Sequence, residues 1–70
     1  MTYCLTLHVP ISTVHLESDN ESAITDFSNF CKKVLGAYNS TSDPTLLSVD
    51  SISDEQLVLL QNELSKLSPL

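Results

Sequence analysis

Residues 18–38 read SDNESAITDFSNFCKKVLGAY, and the reading of this stretch decides the fold. At about 100° per residue, Ala23, Ile24, Phe27, Phe30, Cys31, Val34, Leu35 and Tyr38 fall within an arc of roughly 140°. The opposite face collects Glu21, Ser22, Thr25, Asp26, Ser28, Asn29, Lys32 and Lys33. Both phenylalanines of the chain lie in the apolar arc. A helix with one such face must lay it on something, so the other elements are read as its cover.

The helix carries its own boundary signals. Ser18 and Glu21 spell a capping box, in which the hydroxyl serves an amide three residues on and the carboxylate reaches back. Asn20 is an equally acceptable cap. Lys32 and Lys33 suit the negative end of the helix dipole. Gly36, the only glycine, falls where a left-handed closing residue belongs. The spacing predicts a helix over about 19–35.

Before it, residues 2–9 alternate. Tyr3, Leu5, Leu7 and Val9 share one side, and Thr2, Cys4, Thr6 and His8 the other, which is the period of a half-buried strand. Pro10 cannot donate to a ladder and ends or bends it. Beyond it the apolar phase slips by one, to Val14 and Leu16. A bend, bulge or tight turn within 10–12 accounts for the slip and predicts a second strand over about 12–17, forming a hairpin if the turn is tight.

After the helix, residues 39–44 are polar and read as a surface loop. Leu47 and Val49 share a face, and 45–49 reads as a third strand. The second helix opens with Ser53 as cap, Gln56 at the box position and Ile52 placed to staple onto Leu57. Asp54 and Glu55 occupy its first turn. Leu57, Leu60, Leu64 and Leu67 form its apolar stripe, and Pro69 is its expected stop. Val58 and Leu59 lie off that seam, Leu59 almost opposite it. The second helix is therefore either covered from more than one side or presents apolar surface to another molecule.

The expected fold is α+β. A small two- or three-stranded sheet is packed on one face by two helices in the order β-β-α-β-α, within a single domain over 1–70. Its expected core is Tyr3, Leu5, Leu7, Ile24, Phe27, Phe30, Val34, Leu47, Leu57, Leu60 and Leu64. Seventy residues make such a core only marginally sufficient alone.

Composition limits the function. The formal charge is −6 with only three basic residues, which excludes the clustered Lys and Arg that a nucleic-acid backbone or anionic membrane requires. No apolar run approaches a membrane span. The N-terminus lacks the basic and long apolar regions of a signal peptide, so a cytoplasmic protein with reduced thiols is expected.

Chemical motifs are scarce. Cys4, His8, His15 and Cys31 match no zinc-finger spacing. Cys4 and His8 stand roughly 13 Å apart along one strand face, too far to share an ion. Cys31 belongs to the apolar stripe, where a thiol acts as a small hydrophobe. Asp54 and Glu55 are helix neighbours that do not face each other. One glycine cannot supply a phosphate-binding loop. No cofactor, metal or enzymatic activity is expected. Asp50-Ser51-Ile52 before an acidic helix resembles the Asp-Ser-Leu of acyl carrier proteins, where the serine carries phosphopantetheine. That likeness covers three residues, and the β-like N-terminus does not belong to that all-helical family.

These readings leave a small acidic protein that docks on another protein as an inhibitor, adaptor or assembly factor. Its expected surface centres on Val58 and Leu59, with Asp54, Glu55, Gln56 and Glu63 around them, against a basic or apolar partner surface. A homodimer through the same face is a further expectation. The alternative is an acidic nucleic-acid mimic that fills a basic groove, as small phage-type inhibitors do. That reading uses Glu17, Asp19, Glu21 and Asp26 with Asp50, Asp54 and Glu55 in place of phosphates.

Overall fold

The computed structural model describes residues 1–67. The order of elements is β1 (Tyr3–Val9), β2 (Ser12–Ser18), α1 (Glu21–Val34), β3 (Tyr38–Asn39), β4 (Leu46–Ser48) and α2 (Asp54–Leu67). The fold is α+β, with a correction to the expected sheet. It has four strands in the order β2-β1-β4-β3, so the chain runs β-β-α-β-β-α. β1 pairs antiparallel with β2 and parallel with β4, and β3 pairs antiparallel with β4.

The hairpin explains the phase slip. Val9 pairs with Ser12 across a two-residue turn at Pro10 and Ile11, so odd positions of β1 face even positions of β2. Leu5 thereby meets Leu16, and Leu7 meets Val14. Among the described residues only Gly36 has a positive φ, so this turn is not one of the mirror types usual in tight hairpins. Pro10 instead presets the negative φ that the first central position of an ordinary β-turn needs.

α1 begins at Asn20, whose side chain accepts from the Ala23 amide at 3.3 Å. The box expected between Ser18 and Glu21 does not supply the cap. Ser18 ends β2, and its Oγ accepts from the Asn20 amide at 3.0 Å. At the other end Leu35 closes the helix and Gly36 turns the chain with φ at 70°. The amides of Leu35 and Ala37 both donate to the Cys31 carbonyl, at 3.0 and 3.1 Å. That reversal takes Tyr38 out of the helical stripe and into β3, the strand absent from the expected order.

β4 fills the slot beside β1. Leu46–Ser48 is the strand, and the parallel ladder extends through Thr6 N–H to Thr45 O and Val49 N–H to His8 O, both 2.8 Å. The segment expected as 45–49 is thus paired over its whole length. β3 is held to β4 partly by Asn39, whose Nδ2 donates to the carbonyls of Asp43, Pro44 and Leu46 across the loop.

α1 covers the side of the sheet that carries Leu5, Leu7, Leu16 and Leu47, and α2, expected to lie on the sheet as well, packs on α1 and adds Leu60 to the core. The core adds Ile24, Phe27, Cys31, Leu35, Ala37, Val49 and Leu60. Phe27 and Phe30 pack with ring centroids 6.1 Å apart and planes tilted by 31°, Phe27 fully inside and Phe30 half-buried at the flank. Among the expected core residues, Val34 is exposed at the C-terminal end of α1, and Tyr3, Phe30, Leu57 and Leu64 are half-buried. Leu16, Cys31, Leu35, Ala37 and Val49 take the interior positions instead. The expected stop at Pro69 lies outside the described residues.

Candidate functional site

The start of α2 determines what its surface presents. Ser53 and Gln56 make the reciprocal box: Ser53 N–H donates to Gln56 Oε1 at 2.9 Å, and Gln56 N–H to Ser53 Oγ at 3.2 Å. Gln56 Nε2 also donates to the Val34 carbonyl at 3.1 Å, which ties the start of α2 to the end of α1. This three-point fixation sets the rotation of α2. Leu60 points into the core, with Leu57, Leu64 and Leu67 half-buried beside it.

With that rotation Val58 and Leu59 emerge on the far side, 55% and 45% exposed. Asp54, Glu55, Val58 and Leu59 line an open, largely apolar recess of about 420 Å³. Four of the six residues expected at the surface therefore come together. The other two face elsewhere. Gln56 is engaged by Ser53 and Val34, and Glu63 is half-buried, paired with Lys66 at 3.0 Å. The Cys31 thiol is pushed up to about 12, chiefly by burial, and the Glu63 charge adds to the shift. A thiol held protonated in this way is chemically inert.

The sheet has a second face, which no helix covers among the described residues. The register puts Cys4 opposite Glu17, Thr6 opposite His15, and His8 opposite Thr13. His15 Nδ1 lies 3.1 Å from Thr6 Oγ1, and its Nε2 lies 3.2 Å from Glu17 Oε1. Cys4 Sγ is 4.0 Å from the same carboxylate oxygen. One donor atom from each of Cys4, His15 and Glu17 falls within a mutual 4.8 Å. Spacing along a single strand separates Cys4 from His8 but says nothing of cross-strand neighbours. The signal that finds the cluster is the two-residue turn, which converts 4 and 17, then 6 and 15, into facing pairs.

The carboxylates are dispersed. Of the nine, Asp19 accepts from Thr2, Asp43 from Thr45 and Asp50 from Tyr38, while Glu17 and Glu63 face His15 and Lys66. Glu21 and Asp26 lie on α1, and Asp54 and Glu55 on α2. Cys4 is exposed on the sheet and Cys31 is buried on the core side of α1, so the two thiols lie in separate environments. Among the described residues no helix is long and apolar enough to cross a membrane. No protein-family model matches the chain, and searches of curated proteins and of solved structures find no match either.

Proposed function

We propose that this chain is a non-catalytic docking protein whose working surface is the outward side of α2. The observation that carries the reading is the Val58–Leu59 pair, adjacent and about half exposed on a helix whose opposite side is anchored by Leu60 and Gln56. Fixed apolar side chains at the centre of a patch, with charges at its edge, are the arrangement that excludes water from a protein interface. Asp54 and Glu55 form that edge, so the partner is a protein with an apolar groove bordered by Lys or Arg. Inhibitor, adaptor and assembly roles all use such a surface. The two unpaired thiols favour a reducing, cytoplasmic setting.

The test is affinity capture from the native host, followed by titration of the captured partner. Val58→Asp and Leu59→Asp each put a charge into the contact and should lower affinity at least about a hundredfold while leaving the fold unchanged. Binding by apolar contact should persist as salt is raised, whereas phosphate mimicry should weaken steeply, because screening acts on the charges. Retention of binding in both aspartate variants would remove α2 from the interface. Steep salt dependence with intact binding in those variants would favour the mimic. Sedimentation at several concentrations tests the remaining occupant, a second copy of the chain, through loss of self-association in Leu59→Asp.

A further inference from the structure

We propose that Cys4, His15 and Glu17 on the uncovered face of the sheet bind one divalent transition-metal ion, with zinc as the natural occupant. The site lies on the hairpin, apart from the α2 surface, and does not depend on how that surface is used.

The geometry comes from the register. β1 supplies Cys4, and β2 supplies His15 and Glu17 from two positions of one strand face. A tetrahedral zinc ion holds sulfur at about 2.3 Å and nitrogen or oxygen at about 2.0–2.2 Å, which sets its ligand atoms about 3.3–3.6 Å apart. The edge from His15 Nε2 to Glu17 Oε1 is already 3.2 Å. Cys4 Sγ lies 4.0 Å from that oxygen, and all three donors are within 4.8 Å. The sulfur must approach by about an ångström, within reach of small χ adjustments in three side chains free of tight packing.

The outer shell is also present. When Nε2 of His15 ligates, Nδ1 carries the ring proton and donates to Thr6 Oγ1, 3.1 Å away. That bond fixes the tautomer and aims the free nitrogen at the metal, the usual second partner of a ligating histidine. His8, one pair further along, is turned to Thr13 at 3.2 Å and belongs to no such set.

The donor set selects the metal class. Calcium and magnesium take oxygen ligands in larger number, and a thiolate suits neither. One thiolate, one imidazole and one carboxylate match the borderline preference of zinc, and three protein ligands leave a fourth position for water. On binding, the S–H bond of Cys4 breaks, its proton passes to solvent and a sulfur–metal bond forms. No electron is transferred, and one proton is released per ion.

Cobalt(II) is the probe, titrated into the reduced full chain. The expected result is one ion per chain, with intense tetrahedral d–d bands and a thiolate-to-cobalt charge-transfer band that one equivalent of zinc abolishes. Cys4→Ser should remove the charge-transfer band. Cys4→Ser, His15→Gln and Glu17→Gln should each weaken binding by at least about a hundredfold, and Thr6→Val by about tenfold. His8→Asn and Cys31→Ala should leave the spectrum unchanged. All three ligand positions are on the surface, so circular dichroism should show the same fold throughout. A weak octahedral spectrum that persists in Cys4→Ser would mean adventitious carboxylate binding and would overturn the site. One ion per two chains would overturn it as well, because the ligands would then come from two molecules.

Discussion

Cys31 shows how far one residue can report on the whole core. Its thiol is fully buried, and desolvation raises its pKa from the ordinary 9.0 to about 12. Below about pH 9 both folded and unfolded chains keep the proton, so the thiol is neutral to stability there. Between 9 and 12 the unfolded chain releases it and the folded chain does not. Stability should therefore fall as pH rises through that window, by on the order of 1 kcal/mol per pH unit from this group. Urea midpoints at several alkaline pH values should show that slope in the parent chain and a shallower one in Cys31→Ala. Tyr38 is shifted upward as well, through its bond to Asp50, so Tyr38→Phe is the control. The same burial predicts that an alkylating reagent labels Cys4 in the native protein and Cys31 only after unfolding. Gly36 is the other residue with a singular demand. A methyl group added there meets nothing within 4 Å, so Gly36→Ala is disfavoured by its φ of 70° alone. The expected loss is about 1–2 kcal/mol, measured by urea unfolding.

At the scale of elements, the helix starts differ in what they hold. Ser53→Ala removes one cap acceptor and should cost about 1 kcal/mol. Gln56→Ala should cost more, because the Val34 carbonyl loses its donor together with the box. Gln56→Glu separates the two roles: it keeps an acceptor for Ser53 N–H but sets a carboxylate oxygen against the Val34 carbonyl. Unfolding free energies for the three variants should rank Gln56→Ala and Gln56→Glu as more damaging than Ser53→Ala. Equal losses would mean that the link between the helices contributes nothing. The Ser53–Gln56 box was legible in the sequence because it is local, whereas the bond from Gln56 to the Val34 carbonyl joins residues distant in the chain and was not. The hairpin strands and the α1 stripe were legible for the same reason, through periods of two and 3.6. β3 was not, because two residues cannot show an alternation, and Tyr38–Asn39 becomes a strand only by pairing with β4. The choice between Ser18 and Asn20 as cap was likewise set by where β2 ends. The Val58–Leu59 exposure was readable from the α2 stripe, whereas the Cys4, His15 and Glu17 cluster needed a register that Pro10 and Ile11 alone fix.

At the scale of the molecule, stability rests on a long-range closure. β4 returns from beyond α1 to lie parallel to β1, and Leu7 faces Leu47 across that junction, both at 0% exposure. The hairpin and α1 precede this junction, and β3 and α2 join the fold on either side of β4 in the chain. A domain of this length has a total stability of only about 4–10 kcal/mol. Truncating a fully buried leucine costs about 2–5 kcal/mol, set by the cavity it leaves. Leu47→Ala should thus consume a large share of the total, lowering the urea midpoint steeply or leaving the chain unfolded at 25 °C. Leu59→Ala, on the solvent side of α2, should stay within about 0.5 kcal/mol of the parent chain. The contrast matters because both are Leu→Ala changes in regular elements, and they differ in whether the side chain closes the sheet junction or faces solvent. Should Leu47→Ala lose less than about 1 kcal/mol with an unchanged urea slope, the parallel junction would not be the seam that holds the two parts of the chain together. Should Leu59→Ala lose several, the outward side of α2 would be interior surface, and it could not also be the face offered to a partner.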